Sequence, residues 1–210
     1  MEDMITIVGS DYYEPIADLL HKLLARERLG ATTVKRGCRE NGYSSAIVVL
    51  LVVAFESYVS RVNFLQTQKG AAGIRKTKRT SVPEYLKQLR KSFSLQKSLT
   101  EVFVLRDVLV HNHLWTLTTS PHQSKHLILH RAVKDAEYGD SKYPVFVNPR
   151  TRRTSSLGLN VVPTSVGLRE VAKVMDVLWR TFQFLEKAKL LERAAFDTNV
   201  RYDGRMQKFW

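Results

Sequence analysis

The sequence predicts a mainly α-helical single domain over residues 1–210, an antiparallel helical bundle with a small β insertion near 120–164. Three observations carry that expectation. Apolar residues recur at helical spacing in several long segments, while one stretch switches to short β-branched or alternating runs. The 210 residues suffice for one substantial core and show no internal repeat.

The elements follow in order. Over 12–29, Ile16, Leu19, Leu20, Leu23 and Leu24 keep one helical face apolar, with Asp11 placed to cap and Gly30 to stop. Residues 30–43 hold three glycines and read as a loop. A central core helix is expected over 44–68, where Ile47, Leu50, Leu51, Ala54, Phe55, Tyr58, Val62 and Leu65 form a continuous stripe. Pro83 opens a short basic helix over 83–93. Ser98 and Glu101 have the spacing of a capping box for a helix over 99–117. KHLILHRAV (125–133), YPVFVNP (143–149) and SLGLNVV (156–162) read as strands of the insertion. A long amphipathic helix is expected over 166–193, followed by a polar, basic tail over 194–210 that ends on exposed Phe209 and Trp210.

Charge narrows the function. Thirty-three Lys and Arg against 20 Asp and Glu give +13, the balance of a protein with a polyanionic partner. Nucleic acid fits better than a membrane surface, because no helix pairs a strong apolar face with a lysine-rich one. The glycine-rich stretch 69–82 carries Lys69, Arg75, Lys76, Lys78 and Arg79 with no acid among them. It suits contact with a phosphate backbone, and equally a solvated linker. Arg150, Arg152 and Arg153 add to the basic surface.

A single cysteine, Cys38, excludes an intramolecular disulfide and fits a reduced compartment. The start, MEDMITIVGSDYY, has acids where a secretion signal has basic residues. The apolar run Ala46–Phe55 is ten residues long, against about 20 needed to span a bilayer. A soluble, cytoplasmic protein without membrane contact is expected.

The most informative stretch is VLRDVLVHNHLW, Val104 to Trp115. It places Arg106, Asp107, His111, Asn112 and His113 in an otherwise apolar helical pattern. Arginine binds phosphate bidentately and keeps its proton, whereas histidine titrates near neutrality. Together they suit cleavage of RNA by its own 2′-hydroxyl. A base takes that proton, arginine stabilises the charged phosphorane, and an acid protonates the leaving oxygen, with no metal required. Arg106 and His111 lie about 140° apart on an ideal helix, so a shared target sits in a groove or is completed by a second chain.

The segment R-D-V-L-V-H, Arg106 to His111, resembles the motif of the HEPN superfamily: arginine, a polar residue, three residues and a histidine, late in a helix of an all-α domain. Arg106 to His113 also fits the looser family spacing. The upstream segment AIVVLLVVAFESYVSRV resembles the family's first core helix, in which an acidic residue, here Glu56, faces the motif. The resemblance covers the helices at 44–68, 99–117 and 166–193. It implies a HEPN-like bundle and a metal-independent endoribonuclease of the toxin–antitoxin or phage-defence kind, working as a homodimer whose motif helices face across a cleft. Arg106 would hold phosphate, His111 would be the acid/base, and Asp107 would orient either. Asn112 and His113 could assist, and Arg75, Lys76, Lys78 and Arg79 could bind substrate. RNA, a second copy and a cognate antitoxin or regulatory protein are the implied partners. The alternative is a non-catalytic HEPN-like module binding RNA, nucleotide or a protein.

Competing chemistry is weaker. His111, His113, His122, His126 and His130 fall within twenty residues, but the H-x-H rings of a helix diverge by about 200°. No metal and no cofactor are expected. Cys38 has no nucleophile motif around it, and Trp115 and Trp179 read as core. Trp210, after a basic tail, is the one candidate for stacking on a base.

Overall fold

In the computed structural model, which describes residues 8–28, 42–68, 80–110, 116–120, 123–128, 143–202 and 204–210, the central helix is α2 (Gly42–Gln68). It buries Ile47, Val48, Leu51, Val52, Ala54, Phe55, Tyr58, Val59 and Val62. At about 100° per residue these positions occupy nearly half the circumference. Helices α1 (Tyr13–Arg28), α4 (Gln96–Val110) and α6 (Leu168–Lys187) pack on α2, and the short α3 (Val82–Leu89) packs on α4. The fold is mainly helical, as expected. The ten-residue apolar run belongs to a helix of 27 residues, which by length and composition could cross a membrane; half of its most apolar window is buried inside the fold.

A 3-10 turn (Val8–Tyr12) precedes α1 and lies against α2. The Gly9 N–H donates to Ser57 Oγ at 3.1 Å. A Cβ at Gly9 would come within 2.7 Å of the Ala54 carbonyl oxygen and 2.8 Å of the Tyr58 ring, so this approach requires glycine.

Several expected boundaries are corrected. Helix α4, described over Gln96–Val110, starts ahead of Ser98, so Ser98 lies inside it and is not its N-cap. Glu101 turns inward instead. Thr116 and Leu117, expected in this helix, lie in β1 (Thr116–Ser120), which pairs antiparallel with β2 (Gln123–Ile128). Four of those five residues are Ser or Thr, poor helix formers in a stretch that has a strand partner. Helix α3 stops at Leu89, where Arg90 becomes extended (φ −142°), rather than at 93. The capping carboxylate here is Glu84, which accepts from the Ser81 N–H at 3.0 Å and the Ser81 hydroxyl at 2.7 Å. Helix α6 ends at Lys187, where Lys189 turns left-handed (φ 55°) and the Leu190 N–H caps the Leu185 carbonyl at 2.9 Å.

Among the described residues of the insertion, part of KHLILHRAV lies in β2, its remainder (129–133) lies outside the described residues, and the other two expected strands form only in part. YPVF forms one helical turn, α5 (Tyr143–Phe146). Strands β3 (Val147–Asn148) and β4 (Arg153–Thr154) form a two-rung hairpin. SLGLNVV is turn and extended chain, bridged to β4 only between Arg153 and Asn160. This unit packs on α4 through a small core of Val104, Val108, Tyr143, Val147 and Val161.

The basic tail is corrected most. Strands β5 (Asn199–Tyr202) and β6 (Arg205–Lys208) form a hairpin whose first strand lies on α1. Phe209 stacks on Tyr13 with centroids 4.2 Å apart, and Trp210 stacks on Trp179 at 6.1 Å. These rings extend the core cluster and are not exposed at the chain end. An aromatic pair after a polar segment reads as surface only until the hairpin that folds it back is known.

Glu101 has no exposed surface. Its Oε1 accepts from the Ser156 N–H at 2.7 Å and the Ser155 hydroxyl at 3.1 Å, and its Oε2 from the Leu157 N–H at 2.7 Å. Glu101→Ala strands two backbone donors. It is expected to destabilise by about 3 kcal/mol, read as a shift of the urea midpoint at unchanged slope; a loss below about 1 kcal/mol would mean that the segment finds other acceptors. The buried tyrosines predict an alkaline limit. Burial raises the hydroxyls of Tyr13, Tyr58 and Tyr85, and pushes Tyr143 up to about 12. Folding favours their neutral form, so this stability is complete below the unfolded value of about 10 and is lost as pH rises through the folded values. Tyr143→Phe is expected to flatten the fall in urea midpoint between pH 10 and pH 12; an identical fall in the variant would acquit Tyr143.

Candidate functional site

Glu56 and Arg106 are fifty residues apart in sequence and meet across the α2–α4 contact. Arg106 Nη2 donates to Glu56 Oε1 at 3.2 Å. On the other side, Arg106 Nε lies 3.2 Å from Asp107 Oδ1. That Nε is buried, and its N–H makes no aligned hydrogen bond, so the Asp107 contact is one of charge without a bond. The guanidinium also sits 5.4 Å from the centroid of the Phe103 ring, one turn back on α4.

Local chemistry explains the arrangement. On α4, Val102 and Leu105 go into the bundle, and Val104 and Val108 face the insertion. Arg106 lies toward α2, where a hydrocarbon side chain would have sealed the seam. Glu56 sits just beyond the buried arc of α2, seven residues after Val49 and three after Val53, both half-exposed. The side chains of Arg106, Glu56 and Asp107 are 22%, 33% and 25% exposed. They are sheltered enough to hold one geometry and open enough to meet a ligand.

Magnitudes decide what such a site can do. An ion pair this accessible contributes roughly 1 kcal/mol or less. The bond to Glu56 uses one of the five N–H groups of the guanidinium. A phosphate bound bidentately makes charge-assisted bonds of about twice neutral strength, the scale against which the Glu56 contact is set. The arginine is therefore oriented by its two carboxylates while part of its donor fork stays uncommitted to Glu56.

Of the residues singled out in the sequence, Glu56, Arg106 and Asp107 come together. His111, Asn112, His113, Arg75, Lys76, Lys78 and Arg79 lie outside the described residues, as do Cys38, His122 and His130. Helix α4 ends at Val110, which is 46% exposed, so the described part of the motif stops one residue short of His111. Sequence reading missed Phe103, although its i,i+3 spacing to Arg106 was available.

Two concavities lie elsewhere. One of about 360 Å³ is lined by Arg61, Glu186, Lys189 and Arg193 among others, and one of about 450 Å³ by Glu14, Asp18, His21 and Arg201. Neither includes Glu56 or Arg106. Among the described residues no group of three His, Cys, Asp or Glu is placed to hold a metal ion. In comparisons with protein-family models, curated proteins and solved structures, the chain matches none.

Proposed function

We propose that this chain is a metal-independent endoribonuclease with a HEPN-like bundle, acting in the cytoplasm as a toxin or phage-defence effector. It would cleave RNA by attack of the 2′-hydroxyl at a site completed in a homodimer. The observation that carries this reading is the Glu56–Arg106–Asp107 cluster, an arginine oriented by carboxylates from two core helices at the point where the histidine-bearing motif begins. In this mechanism Arg106 binds the scissile phosphate and stabilises the phosphorane, and Asp107 fixes the arginine's direction. His111 exchanges the proton with the 2′-hydroxyl or the leaving 5′-oxygen, giving a 2′,3′-cyclic phosphate. The half-exposed Val49 and Val53 beside Glu56, together with the exposed Val110, offer an apolar rim on which a second copy can close. A regulatory protein or antitoxin would compete for the same face.

One observation favours a second reading, a non-catalytic module binding RNA, nucleotide or a protein. Two carboxylates already flank Arg106, and together they outnumber its charge.

A cleavage assay separates the two. Wild type, Arg106→Ala and His111→Ala are incubated with total RNA in excess EDTA. Fragments ending in 2′,3′-cyclic phosphate from wild type, with a loss of about 100-fold or more in either variant, are expected. Cleavage at equal rates by all three removes this motif from the chemistry. RNA binding without cleavage leaves the binding module as the function.

A further inference from the structure

We infer that the basin at the C-terminal end of α6 is a binding pocket for a ribonucleoside monophosphate, separate from the Glu56–Arg106–Asp107 cluster. The inference goes beyond the cleavage reading and does not rest on it. The cavity has a volume of about 360 Å³, within the range of about 300–1,000 Å³ in which small-molecule sites fall. Three features of its lining converge on a nucleotide.

The first is the pairing of charge types. Among the described residues, Arg61 from α2 and Lys189 and Arg193 from the chain after α6 bring cations to the basin, and Glu186 and Glu192 bring carboxylates. A bare phosphate gains from the cations and is repelled by the carboxylates. A nucleotide answers both. Its phosphate accepts charge-assisted bonds from arginine or lysine, and its ribose hydroxyls donate to a carboxylate. Guanine adds its exocyclic amino group as a further donor. Leu65 and Leu190 complete the lining with apolar surface against which a base can lie.

The second is the backbone at Lys189. Its φ is +55°, a left-handed conformation in which glycine is usual. The turn around it is fixed: the Lys189 N–H donates to the Glu186 carbonyl and the Leu190 N–H to the Leu185 carbonyl, both at 2.9 Å. Glycine closes a helix end of this kind without strain. A chain that carries lysine there keeps an exposed cationic side chain at the basin at the expense of conformational ease. Strained positions cluster at active sites and ligand clamps.

The third is that the walls are already in place. Leu190 and Leu191 are buried members of the main core. Phe196 has no exposed surface and stacks on Phe182 with centroids 4.9 Å apart, which anchors the turn that carries Arg193. The Arg193 carbonyl accepts from the Phe196 and Asp197 N–H groups at 3.1 and 2.9 Å. Arg193 Nε lies 3.6 Å from Asp197 Oδ2, which also pairs with Lys208 Nζ at 2.8 Å. The arginine is thus directed by a carboxylate while its side chain stays mostly exposed. Walls that belong to the core leave little to be ordered when a ligand arrives.

The test is isothermal titration calorimetry of the full chain with GMP, guanosine and inorganic phosphate. Guanosine lacks the phosphate and inorganic phosphate lacks the donors, so GMP is expected to bind at least about tenfold tighter than either. Lys189→Gly removes the cation and relieves the backbone together. It is expected to weaken GMP binding by roughly tenfold, with a thermal midpoint preserved or raised. A merely structural lysine would move the midpoint and leave the titration as it was, which overturns its part in the pocket. No GMP binding, or inorganic phosphate binding as tightly as GMP, overturns the pocket and leaves the cleavage reading standing. GMP binding that is lost in Arg106→Ala and kept in Lys189→Gly seats the nucleotide at the α2–α4 cluster and likewise overturns the pocket. A 5′-phosphorylated oligouridine added in competition separates the two sources of the same chemistry: displacement of GMP extends the pocket to a nucleotide at an RNA end, and no displacement confines it to the free nucleotide.

Discussion

Glu101 sits without exposed surface on a helix that is enclosed from both sides, and its three accepted bonds decide where the insertion goes. One side of α4 packs into the bundle, and the other receives Tyr143, Val147 and Val161. A carboxylate in that position is tolerable only while donors fill its lone pairs. The 155–157 turn supplies them from two backbone N–H groups and a hydroxyl. The β3–β4 hairpin, the buried edge of α6 at Glu170 and the direction of Arg106 are all referred to this one helix. Little of α4 is left to solvent except the seam with α2, and the Glu56–Arg106–Asp107 cluster lies there.

The seam works because two opposing effects are of similar size. Desolvating a guanidinium is costly, and the carboxylates of Glu56 and Asp107 together with the Phe103 ring face offset that cost. Partial exposure keeps each contribution small, so no single partner locks the arginine. A fully buried pair would be too stable to exchange for a phosphate, and a fully exposed one would not hold direction. The misaligned Nε–H toward Asp107 fits this balance, since attraction without a closed hydrogen bond leaves the fork free to rotate toward a better acceptor.

How much of this was legible in the sequence depended on whether the deciding partner was local. The central helix was legible because its apolar positions repeat at helical period over 27 residues. The Glu56–Arg106 pairing was legible through the family resemblance, since nothing local to either residue announces a contact fifty positions away. Ser98 and Glu101 illustrate the failure. S-x-x-E spells a capping box and also occurs within a helix, and the 155–157 turn that claims Glu101 is more than fifty residues downstream. Phe209 and Trp210 failed for the same reason, because their partners Tyr13 and Trp179 lie far back in the chain. Thr116 and Leu117 were misjudged as helix because the strand pairing that claims Thr116–Ser120 is set by β2, not by local periodicity.

The placement of the acids also changes the meaning of the net charge. A value of +13 counts every carboxylate as though it faced solvent. Glu101 and Glu170 are buried against backbone donors, and Glu56 and Asp107 face Arg106. Asp197 lies against Lys208 and Arg193, which hold its carboxyl below the usual range. Acids turned inward or paired offset the surface cations less than their number implies. The same carboxylates that organise the fold around α4 are wholly or partly withdrawn from its surface, so packing and surface charge are two consequences of one distribution of charge.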